Sequence, residues 1–208
     1  MTPEDVTALF TRKSGDFAFA RWGRPIVPVV FGVDDATLPV IKGAIEAVVT
    51  LAGHKMAETD PELGANLMVF FLRDWDELRE VPGLERMIPD LMPLLDRLSQ
   101  GEANQYRIFR FDPDGGIKAA FVFLRMDAHL SDIPAETLAL SQAVQVIVLW
   151  SDLAFTDRSP LATVADGQTI LRPEIGQVIR AAYDPILPPA AQDSAFGLRL
   201  FARLGRTD

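Results

Sequence analysis

The sequence predicts one mixed α/β domain, in which a sheet containing a β-hairpin packs against a buried core helix and further helices flank it. Three observations carry that prediction. Short β-branched and aromatic runs alternate with stretches of helical periodicity. Two of those runs, 106–111 and 117–124, flank Asp-Pro-Asp-Gly-Gly at 112–116. There a proline presets φ and glycines supply positive φ, so the pair reads as a hairpin. Residues 134–150 open with Pro134, Ala135 and Glu136 and continue with an almost wholly apolar surface, as expected of a helix buried on most sides. About half of the 208 residues are hydrophobic and no low-complexity stretch or internal repeat divides them, which favours a single domain with a sizeable core.

The elements follow in order. Pro3 with Glu4 and Asp5 suits a first helical turn, where the acids meet the positive end of the helix dipole, and predicts a capping helix to about Lys13. The run 26–31 reads as a strand whose Pro28, lacking an N–H, belongs at a sheet edge. Leu38, Ile41, Ile45, Val48, Val49 and Ala52 repeat at helical spacing, and Gly53 stands where a C-terminal glycine belongs. The unbroken apolar run 66–72 fits a buried central strand, after which Asp74 is placed to cap a short helix through Leu78. Leu91, Leu94, Leu95 and Leu98 predict a helix starting near Pro89 and closed by Gly101. Pro173 and Glu174 open a last regular helix, ended by Asp184-Pro185. The tail residues Phe196, Leu200, Phe201 and Leu204 again have helical spacing.

Composition removes whole classes of function. A net charge of −9 repels a phosphate backbone or an anionic membrane, and the basic residues come in small groups such as Arg12-Lys13 and Arg199, Arg203, Arg206. Neither nucleic acid nor membrane is therefore an expected partner. The absence of cysteine excludes disulfides, thiolate nucleophiles and sulfur-ligated metals. The first ten residues lack the basic and apolar regions of a secretory signal, and no apolar run reaches membrane-spanning length, so a cytoplasmic location is expected.

Residues able to carry chemistry are few. His54 and His129 lie far apart and outside any metal motif, and the proximity of His129 to Ser131 and Asp132 is what helix capping produces. The carboxylates at 74, 76 and 77, and at 112 and 114, fit no calcium-loop pattern. No phosphate loop or nucleophile elbow occurs. Trp22, Trp75, Trp150 and the thirteen phenylalanines read as core filling before they read as a pocket. Within the apolar helix, however, Ser141, Gln142 and Gln145 are polar and need partners, and with Asp152 nearby they mark a candidate cleft. No cofactor and no metal are implied.

Three segments resemble a bacterial family of zincin-like, metallopeptidase-related domains of uncharacterised function, DUF2927. They are Arg21-Trp22 with Arg24-Pro25-Ile26-Val27, then Ala65-Asn66-Leu67-Met68-Val69, and lastly Ser141-Gln142-Ala143 through Ser151-Asp152 and Leu171 to Tyr183-Asp184-Pro185. The resemblance implies a zincin-like fold. A catalytic zincin presents His-Glu-x-x-His on its helix, two imidazoles on one face with a glutamate to activate the metal-bound water. Here that place holds Leu138-Ala139-Leu140-Ser141-Gln142, so zinc peptidase chemistry is not carried over. The expectation is a non-catalytic domain, a pseudoenzyme, working through contacts with a protein partner or a second copy of itself. The proline-rich stretch 185–189 and the amphipathic tail are the surfaces available for that, although the tail equally suits packing on its own domain. The alternative is a hydrolase or small-ligand-binding protein with a cleft beside the helix at 134–150, Asp152 serving as base.

Overall fold

A four-stranded mixed sheet forms the centre of the computed structural model, which describes residues 1–165 and 167–205; Arg206 of the basic tail group lies outside the described residues. The ends of the chain are tied together first. Helix α1 (Pro3–Ala8) starts from a capping box between Thr2 and Asp5. Its expected continuation to Lys13 is broken because Ser151 N–H donates to Leu9 O and Lys13 N–H donates to the Asp152 carboxylate, turning the chain across the domain. Strand β1 (Phe19–Ala20) follows.

Strand β2 (Pro28–Phe31) lies at one edge of the sheet, as its proline requires. Helix α2 (Thr37–Leu51) returns the chain, and Gly53 follows it at φ +67°, the left-handed C-terminal stop its sequence predicts. Strand β3 (Leu67–Leu72) is central, parallel to its neighbours on both sides. Asp74 then caps a 3₁₀ helix at Trp75–Glu80 through a reciprocal box with Glu77, and helices α3 (Leu84–Met87) and α4 (Leu91–Gln100) follow. The hairpin forms as expected, with strands β4 (Gln105–Phe111) and β5 (Ile117–Arg125), and places β4 at the second edge in the order β2-β3-β5-β4.

The short helix α5 (Ala128–Ser131) leads into the core helix α6 (Ala135–Ile147). This helix stops three residues before the expected end at 150, because Val148 is extended and bridges Arg21 while Leu149 N–H donates to Ala20 O. A small hairpin of β6 (Leu161–Thr163) and β7 (Thr169–Leu171) precedes helix α7 (Pro173–Ala182). Strand β8 (Ala190–Ala191) pairs with β1, and helix α8 (Ala195–Phe201) closes the described chain against α1.

Strand periodicity sorts the core into two layers. Leu67, Val69, Ala120, Val122 and Leu124 face α2 and α6, whereas Phe70, Leu72, Phe121 and Phe123 face the 3₁₀ helix, α3 and α4. The sheet is thus covered by helices on both faces, which is why β3, and β5 from Ala119 to Leu124, are continuous apolar runs. The amphipathic tail is part of this body: Phe196 and Leu200 are buried, and Gly197 lies so close to Thr7 that a Cβ there would fall 2.2 Å from Oγ1. The stretch 185–189 is likewise held, since Leu187 is buried and Pro189 O accepts from Arg21 N–H. No helix among the described residues is long and apolar enough to cross a membrane.

Candidate functional site

The four residues singled out in the sequence fall on one side of the molecule but do not form one cluster. Gln142, 6% exposed, leans from α6 towards the edge strand β4: its Nε2 donates to Gln105 Oε1 (3.0 Å) and its Oε1 accepts from Arg107 Nη2. Ser141 and Gln145, one helical turn apart, pair with each other instead, Gln145 Nε2 donating to Ser141 Oγ at 3.0 Å. Asp152 Oδ1 accepts from Lys13 N–H at 2.9 Å, and no bond joins its carboxylate to Gln142 or Gln145. Two cavities separate these groups. One of about 470 Å³ is lined by Arg12, Arg107, Gln145, Trp150, Asp152 and Phe155, and one of about 310 Å³ by Gln105, His129, Thr137, Ser141, Gln142 and Ser159.

The residues that build the site and escaped the sequence reading are Gln105 and Arg107. They stand two apart on β4, opposite Leu124 and Val122, so their side chains share the sheet face that α6 covers. The available signal was the pair of polar residues two apart, 105 and 107, in a strand whose other polar residue is Arg110, but the sequence could not say which face they took.

Arg107 is unusual. Its Nη2 donates to Gln105 Oε1 (3.0 Å) and to Gln142 Oε1, its Nε is shielded from solvent with no acceptor, and it has no ion pair with any described residue. Burial disfavours its charge and pulls the guanidinium down to about 10. Arg21 Nε is likewise shielded without an acceptor, but its Nη2 donates to Leu187 O and its guanidinium lies 5.5 Å from the centre of the Tyr183 ring. The buried carboxylate among the described residues is compensated. Asp60, whose side chain is 2% exposed, receives N–H groups from Glu62 and Leu63, Asn66 Nδ2 at 3.0 Å and Arg24 at 3.4 Å. Desolvation alone would raise that carboxyl, but these donors outweigh it and hold it below the ordinary aspartate value. Arg24 also binds Asp112 (2.7 Å) and Glu62, which in turn pairs with Lys118. The acidic turn at 112 is therefore structural, tied to Arg24, and not a cation loop.

The remaining candidates are also accounted for locally. Nε2 of His54 lies 2.8 Å from Arg24 O, and burial lowers its pKa in spite of that bond. His129 is exposed, and Ser131 Oγ donates to Met126 O rather than to a catalytic partner. Trp22, Trp75 and Trp150 are all buried, their indole N–H groups donating to Val146 O, Ala103 O and Val144 O. Among the described residues no three His, Asp or Glu side chains converge to hold a metal ion.

No family model, curated protein or solved structure matches this chain. The reading of the site therefore rests on its own geometry.

That geometry includes an open strand edge. Arg125 N–H donates to Asn104 O, and Ala120 N–H donates in the other direction to Asn66 O, which sets the phase of the ladder. Tyr106 and Ile108 exchange bonds with β5, while the N–H and C=O groups of Gln105, Arg107 and Phe109 point away from it. No backbone bond among the described residues covers that outer side. Cavities flank the edge on both faces. The two above lie towards α6, and a third of about 330 Å³ towards α4 is lined by Ile88, Pro93, Arg97, Tyr106, Ile108 and Arg110.

Proposed function

We propose that this chain is a non-catalytic, zincin-like binding domain that takes an extended segment of a partner protein onto the free edge of β4. The observation that carries the reading is the conjunction of an uncovered strand edge with cavities on both of its faces. Strand addition uses those two features separately: main-chain bonds supply affinity, and pockets for alternate side chains supply specificity. Outward-pointing groups on Gln105, Arg107 and Phe109 offer the first, and the cavities beside α6 and α4 offer the second. The zincin-like, non-catalytic reading is supported by α6, where the segment matched to the zinc motif has Leu138 and Ala139 in the core and Gln142 tied to β4.

A partner differs from a second copy by charge. Antiparallel pairing of β4 with itself about Arg107 sets two guanidinium groups opposite each other, and like charges directly opposed on a sheet are destabilising. The proline-rich stretch and the tail, available surfaces on sequence grounds, are engaged within the domain and leave β4 as the better candidate.

The test selects binders from a random decapeptide library on the purified protein, then follows amide hydrogen exchange with the enriched peptide bound. Slowed exchange at Gln105, Arg107 and Phe109 is the expected result. Failure to enrich any peptide, or protection confined to another surface, overturns the reading.

A further inference from the structure

The cavity of about 470 Å³ beside Arg107 has a charge balance at odds with the rest of the chain. The protein carries −9 overall, yet this cavity is lined by two guanidinium groups, Arg12 and Arg107, against the single carboxylate of Asp152. That carboxylate already accepts Lys13 N–H. Arg107 has the wall position: Nη2 is engaged by Gln105 and Gln142, Nε is buried without an acceptor, and Nη1 donates to no described residue. An arginine held in this way lacks the anion that buried cations elsewhere in proteins are paired with. Its neighbours are neutral amides, which orient the guanidinium without discharging it. The aromatic walls, Phe109, Trp150 and Phe155, make the remainder apolar.

We propose that this cavity receives an acidic side chain of the bound segment, its carboxylate accepting from Arg107 Nη1, so that the partner is recognised by an aspartate or glutamate on its α6-facing side. The inference rests on strand addition at β4. The source of the carboxylate is a side chain and not a chain end, because outward backbone groups lie on both sides of Arg107, at Gln105 and Phe109, and an added strand using them continues past it. Residues of the added strand that face α4 meet Arg97 and Arg110 with Asp90, the same balance of charge; what assigns the acid to the α6 side is Arg107, whose Nε has no acceptor, whereas Arg110 on the α4 side donates to Met87 O.

The probes are N-acetyl-glutamate N-methylamide and its glutamine counterpart, titrated at constant ionic strength while the arginine side-chain ¹⁵N–¹H resonances are observed. The glutamate compound is expected to shift the Arg107 side-chain signals and to bind at least about tenfold more tightly than the amide, the difference that one charge-assisted bond supplies. Arg107→Met should bring the two compounds to equal affinity, read from the backbone amides of Gln105 and Phe109, and Arg107→Lys should keep part of the preference. Equal binding of the two compounds to the wild type, no response at Arg107, or a glutamate preference that survives in Arg107→Met overturns the proposal. A library-selected peptide separates this failure from failure of the strand-addition reading. If it protects the β4 amides but tolerates Glu→Gln at every position, the edge binds and the carboxylate recognition is wrong; if no peptide protects those amides, strand addition itself is wrong.

Discussion

Arg107→Met tests whether the cleft is maintained at the expense of stability. Burial holds the guanidinium at about 10, against an ordinary value above 12. At about 1.4 kcal/mol for each tenfold change, keeping the charge in place costs about 3 kcal/mol. Methionine removes that cost and fills much of the space of the arginine stem. It also removes the two bonds from Nη2: Gln105 Oε1 retains Gln142 Nε2 as a donor, so that loss is about 1 kcal/mol, but Gln142 Oε1 is left buried without a donor, at a cost of about 2 kcal/mol. The two sides nearly cancel, so the variant should be no less stable than the wild type by more than about 1 kcal/mol, with a midpoint within about 4 °C of it. Urea unfolding followed by tryptophan fluorescence measures it directly, because Trp22, Trp75 and Trp150 are all buried and report global exposure. A loss of about 1 kcal/mol or more in Arg107→Met would refute the reasoning. The guanidinium would then be a structural tie between β4 and α6, as a stabilising hydrogen-bond network requires, and not a group awaiting a ligand.

Further outcomes follow from other sites. Asn66→Ala should destabilise by about 3–5 kcal/mol in denaturant titration, since it leaves the buried Val27 N–H and Pro25 O without their partners at 2.8 Å and takes one donor from Asp60. Asp60 and Glu62 are held below their ordinary values, so the stability they contribute is present above the unfolded carboxylate range and is lost as pH falls through their folded values. Unfolding midpoints should therefore drop below about pH 4, and Asp60→Asn, less stable at pH 7, should show a flatter acid limb. Gly32→Ala places a Cβ 2.0 Å from Phe71 O at φ +80°, and a loss of at least about 3 kcal/mol, or no soluble protein, is expected on expression and thermal melting. Asp152→Asn removes the one carboxylate lining the cavity beside Arg107, so it should tighten binding of an acidic peptide at β4 by about two- to fivefold and leave its Glu→Gln counterpart within about twofold; weaker binding of the acidic peptide would make Asp152 a positive contributor to the site.

Local chemistry in the chain was enough for most elements. Pro28 announced an edge, Gly53 a helix end, Asp74 a capped turn, and the turn at 112–116 a hairpin, because each acts through φ, a missing donor or a bond to a residue a few positions away. The apolar run of β3 reported a buried central strand. What sequence could not supply were interactions between distant segments. The truncation of α1 is made by residues 151 and 152, the end of α6 by residues 20 and 21, and the docking of the tail by Thr7. The cleft was half legible. Polar side chains on an apolar helix, Gln142 and Gln145, pointed to it, since buried amides must be bonded. The partners of Gln142 on β4 depend on the register of a hairpin against a helix some thirty residues away, and a shift of one residue would have turned Gln105 and Arg107 to the opposite face. Sequence determined that this chain makes a helix-covered α/β domain without thiols; only the tertiary structure decided that one strand edge stays open with an unpaired arginine beside it, because periodicity is local and charge pairing is not.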